Sequence, residues 1–476
     1  MKFLSIPFLA IAAGADASAA DIVIPHDPTV PTTVGRTHSI GPWIDGSAIA
    51  PCAAGGDRPA KALDMAAMAV AKQYWLGNPK LKSDVAAAAK AAIDAGSQDP
   101  MVHYVYARCA DIPASQQVEL LAQNDKRFAG SAYPGARWFL NDWYWYDTLA
   151  HATPVDQAAL AAAGAALVDH GITTLATTPD ADGAEIVTAE LYLKMVTTLD
   201  GGPGVADRWL AELAKPEIPP WWRGLLAGRI HIDLGWQSRG HGWGNTVTEA
   251  GWKGMTDQLA LAREQLTAAW KLHPDRPEPA TQMIEVALNS SGGAGEDCAT
   301  WFNRAVAVQM DDPVAFEAMW NPLQPRWGGS YPQMLALGQA GLDTGRYDSK
   351  APWMYISAVF HIDFDAHMMK TDAHDVLNAK VYQQCVAIIA AYGRYQARTD
   401  PTWDATCLAC VAFMCGQYQD CLNQLDAAGP TPSQFWLGQI YTTAEGLRAN
   451  ARAMLPKGGG APPAPATHAR PGFGDL

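Results

Sequence analysis

Long apolar runs are missing from this chain once its first residues are passed. No later stretch reaches about eighteen uninterrupted apolar residues, so composition gives no spanning helix. Basic clusters are missing as well. The chain carries 34 Lys and Arg against 48 Asp and Glu, a formal charge of -14, which excludes a surface built for nucleic acid or for anionic membrane. Strand patterning is scarce, because alternation of Val, Ile and Thr never persists beyond a few residues. With it go the parallel-sheet folds and their dinucleotide sites, and neither GxGxxG nor GxxxxGK[ST] occurs. GxSxG, HExxH and EF-hand spacing are absent too, so the common hydrolase and calcium patterns gain no support.

What is present begins with MKFLSIPFLAIAAGADASAAD. Lys2, the apolar stretch from Phe3 to Ala13 and the small residues Ala17, Ser18 and Ala19 have the layout of a cleavable export signal over residues 1–20, which implies a periplasmic or secreted protein. Residues 21–58, rich in Pro, Thr and Gly, read as an extended arm lying on the body of the protein and pinned by Trp43 and Cys52. Residues 59–215 read as an N-terminal helical region, 216–454 as a second helical region, and 455–476, PKGGGAPPAPATHARPGFGDL with its lead-in residue, as a disordered tail. Two helix starts are named by their caps. Thr153 is followed by Pro154 at the first helical position and Asp156 in the first turn; Ser330 with Gln333 forms a capping box.

All eight cysteines lie beyond the export signal, where an oxidising compartment permits disulfides but fixes no pairing. Four of them crowd into TCLACVAFMCGQYQDC. Within CLACVAFMCGQYQDCLNQLDAAG, Ala409 and Cys421 occupy the small positions of a helical pair, Gly416 relieves the bend and Tyr418 fills the gap, as in a tetratricopeptide unit. In ALAREQLTAAWKLHPDRPEP, Ala262, Leu266, Ala269 and Pro274 fit the second helix of such a unit, with Asp257 where the turn glycine would stand. Ala307 and Pro313 give a fainter echo. The fold class is therefore all-α, an antiparallel helical-pair array of the tetratricopeptide-like α-solenoid type. The cysteines serve mainly architecture, as buried thiols or as disulfide partners, with a metal set disfavoured because their one CxxC lies inside a helix.

Three segments in the centre set the chain apart: Trp236 to Gly240, Trp301 to Ala305, and Pro325 to Ser330. In these it resembles the DUF4034 family, whose members carry Trp-x-x-Arg-Gly, Trp-Phe-x-Arg-Ala and Pro-Arg-Trp-Gly-Gly-Ser segments. The resemblance covers about the central third and implies a helical, tetratricopeptide-like scaffold. It carries over no catalytic residue, since the family has no established activity.

Read physically, RWGGS is a tight turn in which Gly328 and Gly329 permit positive φ and Ser330 caps the next helix. Arg239 and Arg326, with Trp236 and Trp327, are the partner-binding candidates: planar guanidinium forks beside large aromatics suit a carboxylate or phosphate on a peptide or protein ligand. Eighteen tryptophans, and the cluster RWFLNDWYWYDTLAH, supply both core and groove-lining material. No catalytic residue is assigned; His231, His241 and His361 are candidates for a rival reading as a hydrolase or metal-dependent enzyme. No cofactor or metal is assigned either, Asp363, Asp365 and His367 being secondary metal candidates in HIDFDAHMMKTDAHD. In a helix that cluster splits into the pairs His361 with Asp365 and Asp363 with His367. The sequence thus describes an exported helical-repeat protein with a peptide or protein partner in a concave groove, without nucleic acid and without membrane insertion.

Overall fold

A computed structural model describes residues 22–32, 44–54, 60–75, 81–177, 204–240, 242, 244–289, 296–396 and 400–455. Among them the chain is all-α, with no strand, and consecutive helices pack on one another. The export-signal residues 1–20 and the tail residues from 456 on lie outside the described residues. Two compact units divide the chain: residues 35–241 with 247–279, and residues 1–34 with 242–246 and 280–476.

The first unit contains α1 (Ala50–Ala54), α2 (Lys61–Trp75), α3 (Lys82–Asp94), α4 (Pro100–Cys109), α5 (Ala114–Phe128), α6 (Gly135–Ala150), α7 (Gln157–Thr177), α8 (Val205–Leu213), α9 (Pro220–Arg239) and α10 (Glu249–Leu272). Part of the expected extended arm is helical: a π-helical turn over Asp45–Ile49 runs into α1 and buries Ser47 and Cys52. Arg137, itself buried, explains why, since its Nε and Nη2 donate to Ser47 Oγ at 3.1 and 2.9 Å and tie this turn to α6. Trp43 lies outside the described residues. Helix α7 starts at Gln157, later than the Thr153 cap suggests. Asp156 performs the capping instead, its Oδ1 accepting from the backbone N–H of Ala158 and Ala159, both at 3.0 Å. Residues Gln157–Ala176 are apolar and long enough to cross a membrane by composition, and 50% of that window is buried inside the unit.

Large aromatics fill the centre of this unit. Trp209, Trp221 and Trp222 are fully buried, and Phe139 meets Trp209 edge to face at 6.2 Å. The pair α9 and α10 has the most extensive contact, and Ala262, Leu266 and Ala269 of α10 are fully buried. Asp257, however, is not at a turn. It sits inside the continuous helix α10, bound to Lys253 one turn earlier at 2.6 Å, because strong helix formers run through the position without interruption. The segment IHIDLGWQSR, which carries His231, Trp236 and Arg239, is helix to Arg239.

The second unit holds α11 (Glu278–Leu288, from residue 280), α12 (Cys298–Val308), α13 (Pro313–Leu323), α14 (Tyr331–Asp343), α15 (Met354–Met369), α16 (Ala379–Gln396), α17 (Pro401–Met414), α18 (Tyr418–Ala427), α19 (Gln434–Gln439) and α20 (Ala444–Met454). Residues 22–32 are without regular structure and lie on it: Val23 N–H donates to Asn303 Oδ1 at 2.8 Å and Met310 N–H to Pro31 O at 3.1 Å. Ala409 and Cys421 are both fully buried on the packed pair α17 and α18, and Gly416 takes φ +70 in the turn between them. Ala307 is exposed, and Ala305 is the buried small residue of α12. Ser330 caps α14 as expected, its Oγ accepting from Gln333 N–H at 3.4 Å and donating to Gln333 Oε1 at 3.0 Å.

Candidate functional site

The RWGGS turn is a short 3-10 turn over Pro325–Trp327 followed by Gly328 at φ +95. Gly329 is needed for another reason: a Cβ there would lie 2.2 Å from Leu323 O, so only glycine lets the chain double back. The turn delivers Arg326 to α15. Its Nε donates to Gln324 Oε1 at 2.7 Å and stands 3.2 Å from Asp365 Oδ1, a carboxylate that is fully buried. Tyr331 OH donates to Asp365 Oδ2 at 3.3 Å and contacts Thr371 Oγ1 at 2.8 Å. Burial holds the Asp365 carboxyl above the usual carboxylate range, with Arg326 and Tyr331 opposing it. The same burial lowers the Arg326 guanidinium from its ordinary value, against the pull of Asp365.

The other sequence candidates have separate partners. His361, on α15, stacks on Trp320 at 5.1 Å and reaches Glu317 Oε1 at 3.3 Å. Asp363, Asp365 and His367 share α15 with it, and this trio does not bring three ligand atoms together. His231 Nδ1 lies 2.7 Å from Gln258 Oε1, linking α9 to α10. Arg239 ends α9, buried between the rings of Trp236 at 5.5 Å and Trp252 at 5.0 Å. His241 lies outside the described residues. Trp327, partly buried, is the last residue of the 3-10 turn.

No disulfide joins the eight cysteines, and all are buried. Burial pushes Cys298, Cys385 and Cys421 up to about 12, and Cys407 and Cys415 well above the ordinary thiol value, so none of these five has the depressed value of a redox-active thiol.

Sequence patterns missed one convergent cluster. Asp125 on α5, Asp142 on α6 and His170 on α7 place one ligand atom each within 4.8 Å of one another, and among the described residues no other His, Cys, Asp or Glu trio does so. His170 Nδ1 is 2.6 Å from Asp142 Oδ2 and 3.8 Å from Asp125 Oδ1. Trp138 Nε1–H donates to Asp125 Oδ1 at 2.6 Å, and its ring lies on the imidazole with centroids 3.7 Å apart. Behind them Asn124 Nδ2 donates to Pro100 O at 2.9 Å and to Asn141 Oδ1 at 3.0 Å, while Asn141 Nδ2 donates to Leu121 O at 3.1 Å. Burial pushes the Asp142 carboxyl up to about 7; His170 opposes the shift and Asp125 adds to it. For His170, burial alone would lower the value, but the hydrogen bond and charge of Asp142, with Asp125 and Asp169, raise it above the ordinary imidazole range.

Nothing local in the sequence marks this trio. Asp142 sits inside the aromatic run RWFLNDWYWYDTLAH, and His170 follows it by 28 positions. Only the packing of three successive helices unites them. Comparison with protein-family models and with curated proteins gives no match.

Proposed function

We propose that the chain is an exported, tetratricopeptide-like helical-repeat protein of the DUF4034 type, and that its second unit binds a peptide or protein partner outside the cytoplasm. One observation carries this reading: an aromatic stack at the protein surface. Phe435 is 45% exposed and stacks on the partly buried Trp403 at 5.0 Å, with Trp436 behind both at 4.9 and 5.1 Å. Phe360 and Trp353 extend the group at 5.3 and 6.0 Å from Trp436. Aromatics held rigid from behind lose little side-chain entropy on binding, which is why such groups dominate peptide and protein interfaces.

Arg326 adds nothing to that surface: its side chain is 7% exposed, and its Nε is committed to Gln324 Oε1 and Asp365 Oδ1. Arg239, Trp236 and Trp327 have the more interior role of holding helix ends and turns. The enzyme alternative gains no comparable support, because His231 and His361 are each occupied by a side chain of a neighbouring helix.

A photo-crosslinking residue in place of Phe435, expressed in the native source, tests the proposal. The expected result is a specific covalent adduct with one polypeptide, lost when Trp403 is replaced by Ser at unchanged thermal stability. A protein that crosslinks to nothing above background at Phe435 contradicts it.

A further inference from the structure

We propose that Asp125, Asp142 and His170 form a binding site for one divalent transition-metal ion, zinc being the ion that the donor set fits. The argument starts from charge. Two carboxylates and an imidazole converge, Asp142 being fully buried, and no Lys or Arg pairs with any of the three among the described residues. Arg208, on the neighbouring α8, is paired with Asp169. Such a cluster needs cations to balance it, either protons or a metal.

Donor chemistry selects the class. An imidazole nitrogen with two carboxylate oxygens suits zinc and its first-row neighbours, whereas calcium and magnesium prefer oxygen alone. Geometry agrees. Zinc bonds of about 2.0–2.2 Å in a tetrahedral arrangement set ligand atoms roughly 3.3–3.6 Å apart. The observed separations of 2.6 and 3.8 Å from His170 Nδ1 bracket that range, and all three ligand atoms lie within 4.8 Å of one another.

The surroundings resemble those that orient metal ligands. Trp138 fixes Asp125 through its indole N–H and holds the imidazole plane with its ring, and Asn141 is locked between Leu121 and Asn124 beside Asp142. The amide oxygen of Asn124, 1% exposed, has no hydrogen-bond partner in this polar seam. Binding would displace the proton shared between His170 Nδ1 and Asp142 Oδ2, which stand 2.6 Å apart. The side chains of Asp125 and His170 remain 24% and 22% exposed, which leaves the ion reachable and a fourth position open to water or to an anionic ligand. The ion would also join α5, α6 and α7.

The test uses the full chain, stripped with a chelator and titrated with zinc by calorimetry and with cobalt by visible absorption. The expected result is one ion per chain, a cobalt spectrum of low-coordinate nitrogen and oxygen ligation, and a higher melting temperature with zinc. His170→Gln and Asp142→Asn should abolish binding. Asp125→Asn, at the exposed rim, tests the same ligand set where the fold is least disturbed. Trp138→Phe, which keeps the ring but loses the N–H, should weaken binding about tenfold. Absence of saturable binding overturns the proposal, as does wild-type affinity retained in both Asp125→Asn and His170→Gln, which would locate the ion elsewhere.

Discussion

Arg326 and Asp365 form an ion pair between the RWGGS turn and α15, with Nε 3.2 Å from Oδ1 and both side chains almost wholly withdrawn from water. The pair fixes the turn to a helix that otherwise has no polar link to it through Arg326. Removing one member of a buried pair leaves the other charged and unsolvated, so Arg326→Ala should destabilise by about 3–5 kcal/mol. Arg326→Lys should also lose stability, because an ammonium cannot serve Gln324 and Asp365 with the same planar fork. Chemical denaturation checks both. Wild-type stability in Arg326→Ala would show that the pair is not a clamp.

The same carboxyl gives a pH dependence. Burial raises Asp365 above its unfolded value, so the native state holds that proton more tightly. Its contribution is full below the unfolded value, about 3.9, and is lost as pH rises through the folded one. Asp365→Asn mimics the protonated form and should remove this component. Subtracting the stability of Asp365→Asn from that of wild type at each pH should therefore give a difference that falls as pH rises from about 4. A difference independent of pH contradicts the assignment.

Thiol chemistry offers a third check. All eight cysteines are buried and outside disulfides, and burial pushes up those for which a shift is resolved, so a thiolate reagent at neutral pH should label the native protein very slowly. Unfolding in denaturant without reductant should release eight reactive thiols per chain. Fewer than eight would reveal a disulfide.

How much of this was legible beforehand follows from the range of the interactions. Helical character, the Ser330 cap and the small residues Ala262, Ala269, Ala409 and Cys421 could be read because each rests on local propensity or on a period within one helix. Asp257 misled because a repeat template was imposed where the local residues simply continue a helix. Arg326 could be singled out from the sequence, but its pairing with Asp365 could not, since that contact depends on how a turn docks on a helix. The Asp125, Asp142 and His170 cluster was invisible for the same reason on a larger scale. Its members lie on three helices, and each alone looks like an ordinary surface residue.

The close pair α9 and α10 supports the sharpest prediction, because three glycines on α9 should respond in opposite directions to the same substitution. In an exposed helix, Gly→Ala gains about 0.8–1 kcal/mol through backbone propensity alone. At Gly235 a Cβ would find Gln258 Cβ at 3.5 Å, an ordinary contact, so Gly235→Ala should keep that gain and stabilise by about 0.5–1 kcal/mol. At Gly224 the Cβ would lie 2.7 Å from Gln265 O and 3.0 Å from Ala269 Cβ, against backbone that cannot rotate away. Overpacking of this kind costs about 1–3 kcal/mol, so it outweighs propensity and Gly224→Ala should destabilise. Gly228 falls between them: its clash, at 2.5 Å, is with Leu266 Cγ, a side chain that can shift in part. Gly228→Ala should therefore cost less than Gly224→Ala, and combining Gly228→Ala with Leu266→Ala should cost less than the sum of the separate losses. Thermal unfolding of the three single variants decides the matter. Stabilisation by Gly224→Ala would mean that the two helices are not packed backbone to backbone at this point.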